Sequence, residues 1–145
     1  MGVPSAGAKG LIVAAGVGNA DPTADWGVHL AQLPPEPIRA IAVCDTGGTN
    51  EGPNPAWLLD YRTIQVMVRG GLNEYIDGYQ KASDIKDVLL GMGAQTVGGD
   101  RWDGVTGMGD ILYLGMDENK CHRFSVNFRI IIEPAANALT NREAL

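Results

Sequence analysis

The chain has 145 residues, of which 45% are hydrophobic and 19% charged, so it is long enough to bury one core and is not expected to be disordered. Its formal net charge of −6 opposes binding to phosphate backbones, which needs clustered lysines and arginines, so we expect no sequence-specific contact with nucleic acid. No apolar run approaches the roughly 18 residues that span a bilayer, and the first residues lack the basic flank and cleavage site of a signal peptide, so we expect an intracellular, unprocessed protein without a membrane partner.

Residues 1–24 are predicted to form a weak helix and a loop. Residues 5–15 are rich in Ala and Gly, and a glycine follows them where a helix commonly ends. The two glycines inside this stretch, Gly7 and Gly10, lower its helix propensity. Residues 19–25 then carry Asn, Asp, Pro and Thr, which favour turns because of their local hydrogen bonds and restricted dihedrals.

Two strands and an irregular loop are predicted next. Residues 26–33 and residues 38–45 read as strands separated by a Pro-rich turn. Residues 47–55 are so rich in Gly, Asn and Pro that no regular structure is predicted there. We expect the loop formed by residues 46–57, with Trp57 as its anchor, to contact a partner.

A half-buried strand and a long helix are predicted in the middle of the chain. Residues 63–69 alternate between apolar and polar side chains. After two glycines, Asn73 is predicted to cap a helix with charged residues on one side and apolar residues on the other. The apolar stripe consists of Ile76, Tyr79, Ala82, Ile85, Leu89 and Met92. This pattern predicts an amphipathic helix lying on a sheet.

The last third of the chain predicts a β-hairpin and a tail. Residues 111–116 and 121–133 read as its two arms, joined by a polar four-residue turn. Beyond the end of the long helix at Met92, no element is predicted in the glycine-rich residues 91–109, and residues 134–145 are predicted to be a tail that orders only on a partner. Together the elements predict a single α+β domain over residues 1–145, with a mostly antiparallel twisted sheet and the long helix packed on one face.

The sequence gives little sign of a catalytic or ligand-binding site. His29 and His122 lie on different predicted strands without a nearby nucleophile. Cys44 and Cys121 have no CxxC partner and are expected to be free, buried thiols. The glycine clusters lack the strand and helix that flank a phosphate-binding loop. We therefore expect no enzymatic activity, no cofactor and no metal.

One motif leaves an enzymatic alternative open. Residues 42–47, Ala-Val-Cys-Asp-Thr-Gly, resemble the active-site turn of aspartic proteases. In a retropepsin-like homodimer, Asp45 from each subunit would share one proton so that one carboxylate could activate water. Gly48 stands where that family has Ser or Ala, and the long predicted helix has no retropepsin counterpart.

Five segments of the sequence follow one another in a recognisable order. Residues 33–37 form a Pro-rich turn, and residues 41–48 read Ile-Ala-Val-Cys-Asp-Thr-Gly-Gly. Residues 64–70, Ile-Gln-Val-Met-Val-Arg-Gly, precede the predicted helix. The most specific pair is Tyr-Leu-Gly-Met-Asp-Glu-Asn at residues 113–119 and Arg-Phe-Ser-Val-Asn-Phe at residues 123–128. This series resembles the tail terminator, or minor capsid protein, family of long-tailed bacteriophages.

The resemblance implies a structural virion protein that forms a homohexameric ring. Such a ring caps the head-proximal end of the tail tube, stops tube polymerisation and provides the head–tail joining interface. The implied partners are further copies of the chain, the tail tube protein and a head–tail connector protein, with DNA passing through the ring. The implied location is the head–tail junction of a virion that is assembled in the host cytoplasm.

A ring of identical subunits needs two different contact patches on each subunit. We predict that a face carrying three arginines meets the acidic face of the next subunit. A bulky aromatic residue and several carboxylates in turns complete the predicted interface. The candidate interface residues are Arg69, Arg123, Arg129, Asp45, Trp57, Asp117 and Glu118.

Overall fold

The computed structural model describes residues 2–49 and 59–135 as a curled sheet with two helices. No helix in these ranges is long and apolar enough to span a membrane. In chain order the elements are α1 (Pro4–Ala14), β1 (Gly27–Leu30), β2 (Ala40–Thr49), β3 (Asp60–Leu72), α2 (Tyr75–Leu89), β4 (Gln95–Val97), β5 (Asp100–Gly107), β6 (Leu112–Met116) and β7 (Cys121–Glu133).

The seven strands form one sheet around β7. The strand order is β1-β2-β3-β7-β5-β4, and β6 also pairs with β7. The 13 residues of β7 pair with β3 along one edge. On its other edge, β6 pairs with the first half of β7 and β5 with the second half. All pairings are antiparallel except that between β1 and β2, which agrees with the predicted mostly antiparallel sheet.

The core lies between the sheet and the two helices, which both pack on the same face. Cross-strand neighbours such as Ile41, Val68 and Phe124 point to this face and are fully buried. Burying each side chain of this size contributes about 1.5–3 kcal/mol. From the helices, the fully buried residues are Ala8, Ile12, Ala82, Ile85 and Leu89. The opposite face of the sheet carries no helix in the described part of the chain.

Strand β2 extends further than the sequence predicted. Residues 47–49 were expected to be irregular, but they continue β2 beside β3 after a bulge between Asp45 and Gly47. Gly47 and Gly48 have φ angles of 96° and 140°, a region that side chains with a Cβ rarely adopt. A Cβ on Gly48 would also collide with the carbonyl oxygen of Tyr61. These glycines therefore permit a bulged strand where the sequence suggested a break.

Strand β1 is shorter than predicted. The sequence indicated a strand over residues 26–33, but only Gly27–Leu30 pair with β2. Trp26 and Ala31, on either side of β1, have φ angles of 58° and 77°. These left-handed conformations terminate the extended backbone on both sides of β1. They could not be predicted from the sequence, because Trp and Ala rarely adopt positive φ angles.

Helix α2 starts later than predicted and has a different buried stripe. Asn73 has a φ angle of 57° and lies outside the helix, so the predicted Asn73 cap is wrong. Glu74 occupies the N-cap position instead, without a side-chain capping bond. Ile76 and Tyr79 were predicted to be core residues but are 78% and 44% exposed. The helix instead approaches the sheet at Gly78, which is buried.

The glycine-rich residues 91–109 hold two strands that the sequence did not predict. Trp102 and Val105 of β5 are both almost fully buried. They lie three residues apart because a bulge between Trp102 and Gly104 shifts the register with β7. The bulge breaks the two-residue period of a strand, so the alternation that identifies strands is missing here. The hairpin of β6 and β7, by contrast, is confirmed within one residue at each end.

Two helical glycines provide a matched test of how closely α2 approaches the sheet. A Cβ at Gly10 of α1 would meet no atom within 4 Å, so Gly10→Ala should raise the free energy of unfolding by up to about 1 kcal/mol. A Cβ at Gly78 would lie 2.9 Å from the Phe124 ring, and overpacking costs about 1–3 kcal/mol. Gly78→Ala should therefore be neutral or destabilising in urea unfolding. Equal stabilisation by both substitutions would contradict the close approach of α2 and β7.

Candidate assembly interface

The three predicted interface arginines lie on one face of the sheet. Arg69 of β3 is directly opposite Arg123 of β7, and Arg129 is opposite Thr63. Since side chains alternate along a strand, all three point away from the face that the helices cover. We call this helix-free surface of β3 and β7, with Arg69, Arg123 and Arg129, the arginine face. The structure therefore places these three predicted residues on one face, with Arg69 beside Arg123 and with Arg129 about 20 Å further along β7.

Arg69 also has a role within the fold. Its Nε donates to the carbonyl oxygen of Ile38 at 2.7 Å, and its Nη2 donates to those of Pro34 and Pro37 at 2.6 and 2.8 Å. These three bonds hold the Pro-rich turn between β1 and β2 against β3. A guanidinium group suits this task because it presents several donors in a fixed plane.

Of the three arginines on the arginine face, Arg123 and Arg129 are the two that can bind an acidic partner. Within residues 2–49 and 59–135, neither forms an ion pair. The Nε of Arg123 is buried without a hydrogen-bond partner there, and like charges directly opposite, as in Arg69 and Arg123, destabilise a sheet. Arg129 lies 4.8 Å over the Tyr61 ring, which orients it without neutralising it. An acidic partner would relieve this positive charge.

An acidic surface lies on the opposite side of the molecule. Asp77, Asp84 and Asp87 project from the side of α2 that faces away from the sheet, and we call them the acidic helix face. Asp77 and Asp87 are exposed and have no ion-pair partner in the described residues. The nearby Lys86 is engaged by Asp110, with 2.7 Å between its Nζ and Oδ1 of Asp110. The helix therefore presents net negative charge.

One ion pair fixes the start of α2. Arg39 Nη2 donates to Oε1 of Glu74 at 2.8 Å, and the Arg39 guanidinium lies 5.9 Å over the Trp26 ring. The hydrogen bond from Arg39 lowers the pKa of Glu74 from its ordinary value. This contact links the N-terminus of α2, and hence the acidic helix face, to the segment before β2.

Asp45 holds helix α1 on the sheet. Its Oδ1 accepts a hydrogen bond from the backbone N–H of Ser5 at 2.9 Å, and its Oδ2 accepts one from the Ser5 hydroxyl at 2.6 Å. Ser5 lies in the first turn of α1, where backbone N–H groups lack helical partners and carry partial positive charge. Both carboxylate oxygens therefore accept hydrogen bonds from the N-terminus of α1. The protease alternative, by contrast, requires the Asp45 carboxylate to face that of Asp45 in a second subunit.

The other predicted interface residues have separate positions. Asp117 shapes the hairpin turn, because its Oδ1 accepts bonds from the backbone N–H groups of Asn119 and Cys121 at 2.9 and 3.0 Å. Glu118 is exposed in this turn. Trp57 lies outside the described residues, as do most of the predicted contact loop and of the C-terminal tail.

The structure also has an exposed apolar surface that the sequence analysis missed. It lies where the start of α2 meets β6, and the rings of Tyr75 and Tyr113 are 5.3 Å apart there. Among the described residues, β6 pairs only with β7, so its other edge offers unpaired backbone groups. Exposed apolar side chains beside a free strand edge are typical of protein–protein contacts. We call this the α2–β6 surface, and its members are Leu72, Tyr75, Ile76, Tyr79, Tyr113 and Met116.

Removing the Asp45 carboxylate should weaken the attachment of α1. We expect Asp45→Ala to lower the free energy of unfolding by about 0.5–2 kcal/mol, the usual loss when a carboxylate that caps a helix N-terminus is removed. Amide hydrogen exchange in the first turn of α1 should accelerate. Asp87→Ala is the matched control, because Asp87 is likewise exposed but forms no ion pair within the described residues, and its loss should change stability by less than about 0.5 kcal/mol. Equal effects of the two substitutions would exclude the anchoring role of Asp45.

The Arg39–Glu74 pair should make stability depend on pH. The pKa of Glu74 is lower in the folded state than its ordinary value of 4.5, so its contribution is complete above pH 4.5 and is lost as the pH falls through the folded-state pKa. We expect Glu74→Gln to lower the free energy of unfolding by about 0.5–1 kcal/mol at pH 7, the range of partly exposed ion pairs. In urea unfolding at decreasing pH, the two proteins should converge. A difference that stays constant down to pH 3 would contradict this role.

Comparisons with known proteins show the family and the fold of the chain. Residues 11–134 match the family described as bacteriophage tail terminator protein. A chain of a solved structure, titled virion of native gene transfer agent (GTA) particle, is similar in fold, with a TM-score of 0.53 and 15% sequence identity. The match covers 86% of this chain and 84% of that one. Among curated proteins, none matches. The family match spans most of the sequence and confirms the resemblance, so the chain belongs to the bacteriophage tail terminator protein family and is a structural component of the phage tail.

Proposed function

We propose that the chain assembles into a homohexameric ring that caps the head-proximal end of the tail tube. The ring stops tube polymerisation and provides the interface at which the head joins the tail. The observation that carries this proposal is the placement of the arginine face and the acidic helix face on opposite sides of the sheet. Membership of the tail terminator family supports the structural role, and six copies is the number that the sequence resemblance implies.

Two complementary patches on opposite sides are what head-to-tail packing requires. In a heterologous contact, one patch of a subunit meets a different patch of its neighbour, and the series closes when the rotation per subunit divides a full turn. The arginine face of one subunit would meet the acidic helix face of the next. Complementary charge then sets the orientation and disfavours contacts between like faces.

The remaining surfaces are available for partners above and below the ring. We assign the α2–β6 surface to the tail tube protein, because an edge strand with exposed aromatic residues can pair with a protein partner whose own sheet edge is free. Glu118, in the turn between β6 and β7, and Trp57 are proposed contacts with the tube or the head–tail connector protein. Asp117 would act through the shape of that turn. The net charge of −6 would keep DNA from adhering as it passes through the ring at the head–tail junction.

The charged contact is tested by reversing each patch and then both. Arg123→Glu with Arg129→Glu, or Asp77→Lys with Asp87→Lys, should each weaken ring formation by at least about tenfold, because like charges would face each other across the contact. The variant with all four changes should regain much of the assembly, since the patches are again opposite in charge. Light scattering of the protein alone and with tail tube protein measures the mass across a range of concentrations. Arg69 is left unchanged because it holds the Pro-rich turn.

A matched control separates the patches from net charge. Lys9→Glu changes the net charge by the same amount as the single reversal Arg129→Glu but lies on neither patch, so it should leave assembly unchanged where Arg129→Glu weakens it. Circular dichroism confirms that each variant is folded. If both patch reversals assemble like the parent chain, the charged contact is wrong. A stable dimer in place of a ring would contradict the proposed function as a whole.

A further inference from the structure

An apolar groove runs between α1 and β4, away from both charged patches. Its volume is about 400 Å³, and it is lined mainly by small and aliphatic residues of α1, β4 and the turn after β4. Val3, at one end of the groove, is 56% exposed. β4 pairs only with β5 among the described residues, so the groove lies at an edge of the sheet. The residues that matter here are Val3, Gly7, Gly10, Leu11, Val97 and Gly98.

Asp100 brings the end of the described chain to this groove. Its side chain is buried, with the residue only 3% exposed, and its Oδ2 accepts a hydrogen bond from the backbone N–H of Gly2 at 2.8 Å. Its Oδ1 accepts one from the backbone N–H of Ala135, also at 2.8 Å. Gly2 itself lines the groove. One carboxylate therefore holds Ala135 close to Gly2, which lines the groove.

The chemistry of residues 136–145 suits this groove. Their sequence is Ala-Asn-Ala-Leu-Thr-Asn-Arg-Glu-Ala-Leu, which has alanines for a narrow channel and Leu139 for a larger apolar site. Ten extended residues reach about 33 Å, whereas α1 rises only about 12 Å from Val3 to Leu11. A segment tethered at the rim has a local concentration on the order of millimolar, so even weak apolar contacts can hold it.

We propose that residues 136–145 dock into the groove between α1 and β4 of the same chain, with Leu139 covering Val3 and Leu11. The segment would shield these apolar side chains from water and extend the cover that α1 provides over the edge of the sheet. Docking within one chain is favoured because Asp100 binds both Ala135 and Gly2, and Gly2 lines the groove. The proposal does not depend on ring formation.

The first test compares the full chain with one that ends at Ala135. Nuclear magnetic resonance of the backbone amides should show changes concentrated at Gly7, Gly10 and Gly98. A peptide with the sequence of residues 136–145, added to the shortened chain, should shift the same amides towards their positions in the full chain. Leu139→Asp in the full chain should reproduce the spectrum of the shortened chain, and it tests the proposal even if the shortened chain folds poorly.

A blocking variant tests the site itself. A Cβ at Gly10 would meet no atom within 4 Å and Gly10 lines the groove, so we expect the large side chain of Gly10→Trp to occupy the groove. We expect it to weaken peptide binding at least tenfold. Gly93→Trp is the matched control, because Gly93 is equally unobstructed but does not line the groove, and it should leave binding unchanged.

Three outcomes would overturn the proposal. One is that the amides of Gly7 and Gly98 are the same in the full and shortened chains. Another is that Gly10→Trp and Gly93→Trp bind the peptide equally well. The third is that the groove signals of the full chain change with protein concentration, because docking would then occur between copies and not within one chain.

Discussion

The structure depends on the pairing of a single strand, β7, along both of its edges. Its 13 residues bond to β3 on one side and to β5 and β6 on the other, so three parts of the sequence meet on it. Alternation along β7 places Phe124, Val126 and Phe128 in the core and Arg123 and Arg129 on the opposite face. A slip of one residue in this register would exchange the two sets, burying charge and exposing aromatic rings. The same pairing thus sets both the core and the arginine face.

At two positions the helices approach the sheet closely because the helical residue is a glycine. Gly78 lets α2 approach Phe124, and Gly7 lets α1 approach Val97 and Trp102, since a Cβ at either position would come within 3 Å of these side chains. Polar contacts then fix the helix ends, with Asp45 at the start of α1 and Glu74 at the start of α2. Close apposition and polar anchoring together hold the acidic helix face rigidly behind the sheet. That rigidity is what a contact between matched charged surfaces requires.

The sequence was most informative where local pattern and tertiary role agree. The β6–β7 hairpin has clean alternation and a polar turn, and the predicted ends of its arms are within one residue of the observed ones. The three arginines could be placed on one face because their strands alternate without a break between them and the core residues. These features depend on a period of two residues, which a single sequence shows directly.

The features that the sequence did not predict also have physical causes. Strand β5 and the end of β2 contain bulges and glycines, and a bulge destroys the alternation on which strand prediction depends. Strand β4 has only three residues, which is too short to show an alternating pattern. Ile76 and Tyr79 have helical spacing with the core residues of α2, yet the crossing of α2 over β7 leaves them exposed. The role of Asp45 depends on a partner 40 residues away, which no local pattern contains. The α2–β6 surface was missed for the same reason, since it joins residues from two separate elements.

The buried carboxylate of Asp100 has a mechanical consequence. It ties Gly2 and Ala135 to the start of β5, so a force applied through residues beyond Ala135 would enter the sheet at the strands β5 and β7. The component of such a force directed along these strands would load many of their hydrogen bonds at once. The helices, which pack on the sheet mainly through side chains, would be bypassed. A subunit under tension in a tail would therefore bear the load through the backbone hydrogen bonds between β5 and β7.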